Sequence, residues 1–135
     1  MTTEPSREYV RRCLELADEF LSAARLCIKY SKQRSAVNNA YYAMFYASLA
    51  ILASKGVKLP KTHEGLRRLV GKEIIKAGLL EKEFGRYLSE AFEMRQASTY
   101  DVYVSFSEET IRETMKKAEL FTERIKRLLE ESPGN

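Results

Sequence analysis

The chain has 135 residues, 44% of them hydrophobic, which is enough for one domain with a sizeable core. Its 23 Lys and Arg against 19 Asp and Glu leave a net charge of +4, a mild basicity compatible with RNA, with nucleotides and equally with an ordinary solvated surface. One His and two Cys exclude a zinc-ligand spacing, and neither a metal nor a cofactor is expected.

Residues 1–6 read as a frayed start, polar and acid-containing, with no signal or transit peptide pattern; a cytoplasmic protein is the expectation. Pro5 and Ser6 open a first helix, with Val10, Leu14, Ala17, Leu21, Ala24 and Ile28 at helical spacing to about Tyr30. Cys13 and Cys27 sit on that helix ~21 Å apart, too far for a disulfide. They read as small buried hydrophobes.

SKQRS is a polar break, and Ser31 or Ser35 is the expected cap of a central helix from Arg34 to Ser54. This helix holds no Pro or Gly and is apolar on most sides. Such a helix lies in the middle of a bundle or against a second subunit. The alternative of a membrane span fails on length: Ala40–Ala53 is 14 residues with three tyrosines, against the roughly 20 apolar residues a bilayer requires. Tyr42, Tyr46 and Ile51 exceed what one core face needs, so they are the expected dimer interface.

Lys55-Gly56 is a helix C-terminal signal. Thr62 caps a third helix carrying Leu66, Leu69, Val70 and Ile74, weakened by Gly71 and ended by Gly78. A fourth helix bears Phe84, Leu88, Ala91, Phe92 and Arg95 on one stripe and runs to about Ala97 or Thr99. After the non-periodic TYDVYVSF, Ser107 caps a fifth helix, its first turn acidic, with Ile111, Met115, Ala118, Thr122, Ile125 and Leu129 on one seam. VYVSF alternates but is too short for a sheet. The expected fold is all-α, an up-and-down bundle of about five helices in a single domain.

Two places invite chemistry. Arg95 lies on an apolar stripe and needs a partner, because an unpaired buried charge is costly. Asp101 is near it in sequence, so an internal Arg95–Asp101 salt bridge is one reading and a binding or catalytic role the other. His63, the only histidine, lies at the start of the third helix beside Lys61 and Thr62. That turn could hold a phosphate or simply cap the helix. Tyr41, Tyr42, Phe45 and Tyr46 could stack on bases, although at helical spacing such residues usually form core.

AYYAMFYAS at 40–48, PKTHEGL at 60–66, GKE at 71–73, GLL at 78–80 and AFEMRQASTYD at 91–101 together resemble the HEPN domain, a nucleotide-binding family of higher eukaryotes and prokaryotes. The resemblance covers about Glu8 to Leu129 and implies a helical bundle. It also implies a homodimer, and a minimal nucleotidyltransferase as partner in a toxin–antitoxin-like pair. Active members of the family are metal-independent endoribonucleases that use an Arg followed four to six residues later by a His, two copies meeting at the dimer interface. Arg95 matches that Arg, whereas the positions allowed for the His hold Tyr100, Asp101 and Val102.

Three functions follow as expectations. The first is a nucleotide- or RNA-binding module with catalytic-site candidates Arg95, Tyr100 and Asp101 and phosphate-binding candidates Arg95, Lys61 and His63. The second is an endoribonuclease with a variant site lacking the usual His. The third is a structural dimerisation protein without a ligand.

Overall fold

The computed structural model describes residues 4–131, and its order is α1 (Glu4–Lys29), α2 (Gln33–Ser54), α3 (His63–Leu69), a π-helical continuation of α3 (Val70–Ile75), α4 (Lys82–Tyr100) and α5 (Glu108–Glu131). Among these residues there is no strand, in agreement with the all-α bundle expected. The reading of residues 1–6 as frayed falls partly outside the described residues; from Glu4 onward the chain is already helical.

α2 is the central element, packing against every other helix of the bundle. Part of its surplus of apolar faces is covered within the chain. Ile51 is 0% exposed, so it cannot belong to a dimer surface. Tyr42 and Tyr46 are half-buried against Phe20 of α1, with ring centroids 5.7 and 5.5 Å away. Ala17 and Ala24 of α1 and Ala40, Ala43, Ala47 and Ala50 of α2 are all buried in one cluster, and side chains this small let helix axes approach closely. Tyr41, Met44, Leu52, Leu66, Ile74, Leu88, Phe121 and Ile125 fill the rest of the core. On α5 the inward seam closes with Leu128, while Leu129 is only half-buried and Leu120 is exposed.

The turns fix these axes. Ser31 does not cap α2, and Lys32 at that cap position makes no side-chain bond. Ser31 adopts φ 58° and ends α1 instead: its N–H donates to Ile28 O and Lys32 N–H to Cys27 O, a Schellman motif. Gly56 (φ 73°) ends α2 in the same way, through Gly56 N–H to Ala53 O and Val57 N–H to Leu52 O. Thr62 and Ser107 cap α3 and α5 as their positions predict, accepting from Gly65 N and Thr110 N. The third helix holds its interior Gly71 by widening into a π-helical turn, in which Lys76 N–H reaches back to Gly71 O at 2.8 Å. Gly85 on α4 then faces that turn so closely that a Cβ would meet Ile75 Cδ1 at 2.7 Å.

The segment between α4 and α5 is anchored by one side chain. Arg34, at the start of α2, donates to the carbonyls of Ser98, Val102 and Val104 at 2.6–3.0 Å. No helix among the described residues is long and apolar enough to cross a membrane.

Candidate functional site

His63 is the point where three helices meet. α2 brings Tyr41, Tyr42 and Phe45 to its ring at centroid distances of 5.3–6.0 Å, and α4 brings Phe92 to 5.4 Å. The Tyr41 hydroxyl lies 2.6 Å from His63 Nδ1. Tyr41 is fully buried and this is its hydrogen bond among the described residues.

Two guanidinium groups join this aromatic cluster. Arg67 follows His63 by four residues and so emerges one helical turn later on the same side of α3. Its guanidinium lies over the Phe92 ring, 4.2 Å from the centroid. Arg95 approaches from α4 and lies over Tyr42 at 5.5 Å, with one N–H donating to Gln96 Oε1 at 3.1 Å. Both side chains are half-buried, and the Nε of each is buried with no hydrogen-bond partner. Among the described residues no carboxylate forms an ion pair with either.

The electrostatics follow from this concentration of cations. Burial, then Arg95, then Arg67 push the His63 pKa below its ordinary value of 6.5, so the imidazole is neutral at neutral pH. Burial, then Tyr42, push the Tyr41 phenol above its ordinary value of 10.0, against an opposite pull from Arg67 and Arg95. The cluster thus offers two cations, a neutral imidazole and aromatic side chains, and among the described residues no carboxylate pairs with it. Its complement is an anionic group with a planar or apolar neighbour.

The sequence-predicted residues divide between this cluster and its surroundings. Arg95 and His63 come together, across 32 positions of sequence. Tyr100 and Asp101 do not join Arg95 within one chain. Five residues of helix turn a side chain roughly 140° away from Arg95, and six turn it roughly 120° the other way. Tyr100 is 74% exposed, and Asp101 accepts the Tyr103 N–H at 2.9 Å in a turn, with no ion pair to Arg95. The Arg95–Asp101 salt bridge is therefore replaced by an Arg95 that faces α2. Lys61 is exposed, and no hydrogen bond or ion pair joins it to the cluster. The turn it shares with Thr62 is closed by the Thr62 cap.

The sequence places Phe92 on the stripe of Arg95 and Tyr41 among the aromatics of α2, but it singles out neither Arg67 nor the bond that Tyr41 makes. The available signal was the four-residue step from His63 to Arg67. A groove of about 620 Å³ between α1 and α5, lined by Arg25, Ile28, Met115, Lys116 and Leu120 among others, contains none of these residues.

A family model of the HEPN domain matches residues 10–128. A UPF0332 protein of Thermotoga maritima is 38% identical over 92% of this chain and 91% of its own. Two Methanocaldococcus jannaschii proteins carry the names "Putative toxin MJ0605" and "Putative toxin MJ0142". They are 33% and 30% identical, over 93% and 89% of this chain and 92% and 81% of theirs.

Proposed function

Because the chain belongs to the HEPN domain family, we propose that it is a phosphate-recognising HEPN module, binding a nucleotide or an RNA backbone. In this reading it forms the toxin-like member of a pair with a minimal nucleotidyltransferase. The observation that carries the reading is the gathering of the Arg67 and Arg95 guanidinium groups beside His63 with no carboxylate among the described residues paired to either. Two cations gathered without a counter-ion repel each other, and a phosphate that accepts from their Nη groups forms charge-assisted hydrogen bonds while neutralising both. Arg67 and Arg95 hold the phosphate, His63 adds a hydrogen bond, and Tyr42 and Phe45 offer faces for a base. The names of the two archaeal relatives support the toxin side of the pair.

The reading includes a homodimer. Tyr100, Val102 and Tyr103 stand 74–92% exposed on a turn anchored by Arg34, and a second copy covering them removes a large apolar surface from water. Tyr100 and Asp101 then act across the interface rather than beside their own Arg95.

A second reading, endoribonuclease, rests on His63 standing where it can supply the imidazole missing after Arg95. The two separate in one experiment: single-stranded RNA incubated with wild type, Arg95→Ala and His63→Gln in EDTA. The binding module retains RNA without shortening it. Cleavage that leaves 2′,3′-cyclic phosphate ends and disappears in both variants establishes the enzyme instead. Neither retention nor cleavage by the folded protein rejects both.

A further inference from the structure

We infer that Tyr41 is a positioning residue. Its buried hydroxyl donates to His63 Nδ1 and so leaves the ring proton on Nε2, which makes His63 a hydrogen-bond donor toward a phosphate-class anion. The inference rests on the phosphate reading for its ligand, but the tautomer itself follows from the geometry alone.

The 2.6 Å contact between the Tyr41 hydroxyl and Nδ1 can run in either direction in principle. Burial decides it. Tyr41 is 0% exposed and bonds to no other acceptor among the described residues, so a hydroxyl accepting from Nδ1–H would strand its own proton inside the core. With the hydroxyl as donor every proton is placed. A neutral imidazole that accepts at Nδ1 carries its proton at Nε2.

Nε2 is free to use that proton. It forms no hydrogen bond within the described residues, and it is not among the buried atoms left without a partner, so it is open to solvent. The groups facing the ring are Tyr41 and Tyr42 from α2, Arg67 from its own helix and Arg95 from α4, with Phe45 and Phe92 as uncharged walls. None of them is a carboxylate that would draw a second proton onto the ring. A lone pair at Nε2 would make His63 a base toward a ribose hydroxyl. An N–H there makes it a donor to an anionic oxygen instead, which is the chemistry of holding a phosphate rather than activating a nucleophile. Tyr41 thus tilts the site toward binding.

The test uses the fact that His63 is the only histidine of the chain. A long-range ¹H–¹⁵N spectrum of the full ¹⁵N-labelled chain at pH 7.5 shows a single imidazole pattern. The expected pattern is protonated at Nε2, with Nδ1 an unprotonated acceptor. In Tyr41→Phe the acceptor signature at Nδ1 disappears and the protonated fraction at Nε2 falls. AMP, used as a phosphate monoester probe, shifts Nε2 more than Nδ1 in wild type and binds roughly threefold to tenfold more weakly to the variant. A wild-type pattern protonated at Nδ1 overturns the inference, and so does a pattern unchanged in a folded Tyr41→Phe. If that variant does not fold, the wild-type spectrum still decides. The expected tautomer with no response to AMP or to an RNA oligonucleotide keeps the role of Tyr41 in setting the proton and removes its phosphate ligand.

Discussion

Replacing Arg67 by Ala separates a binding residue from a structural one. Arg67 stabilises the fold through its guanidinium over Phe92 at 4.2 Å, a contact worth about 1 kcal/mol for a half-buried pair. Against this stands its buried Nε without a partner, a cost of about 1–3 kcal/mol. The cost at least offsets the contact, so Arg67→Ala should lower the unfolding free energy by no more than about 1 kcal/mol, a fall of at most roughly 3–5 °C in Tm for a chain of this size. The same substitution removes one of the two cations that press on His63, so the imidazole pKa rises toward 6.5. Thermal melts in phosphate-free buffer at pH 7.5 measure the first effect, and an NMR titration of the single histidine measures the second. A loss of about 3 kcal/mol or more would show that Arg67 holds the bundle together and would refute the reasoning that it waits for a ligand.

The lowered His63 pKa also makes stability depend on pH. The unfolded chain binds a proton near pH 6.5 while the folded chain resists it, so stability is highest above about 6.5. It then falls as the pH drops through that window and levels off below the folded value. Denaturant midpoints from pH 5 to 8 should follow this trend, and His63→Gln should flatten it. Arg34→Ala frees the carbonyls of Ser98, Val102 and Val104, so amide exchange over residues 101–106 should accelerate at least tenfold while the core helices stay protected. Gly78→Ala forces a side chain into φ 83° and should cost about 1–2 kcal/mol in chemical denaturation, although nothing lies within 4 Å of the new Cβ.

Apolar periodicity made most of the bundle legible. α2 lacks polar faces because it touches every other helix, and that follows from its composition alone. The same composition misled on Ile51, which lies wholly inside the bundle, and it does not show that Phe20 of α1 packs against Tyr42 and Tyr46. Ser31 was misread because a left-handed serine and a capping serine look alike until the backbone is known. The π-helical turn at Val70–Ile75 is a shift of hydrogen-bond register that leaves the apolar spacing almost unchanged. At the His63 cluster, Arg95 is conspicuous as a charge on an apolar stripe, whereas nothing in the sequence singles out Arg67. Only the packing of α3 on α4 sets Arg67 over Phe92 and leaves Arg68 exposed. The pairing of Arg95 with Asp101 failed for a reason already present in helix geometry, because α4 continues to Tyr100 and turns Asp101 away.

The most direct test of the phosphate-binding cluster is the affinity of a labelled single-stranded RNA oligonucleotide for wild type and for the double variant Arg67→Ala/Arg95→Ala at low salt. Two charge-assisted hydrogen bonds, discounted for partial exposure, predict a loss of about 100-fold with the fold and Tm retained. Equal affinity in a folded double variant would contradict the account and assign RNA binding, if any, to the basic surface outside the cluster.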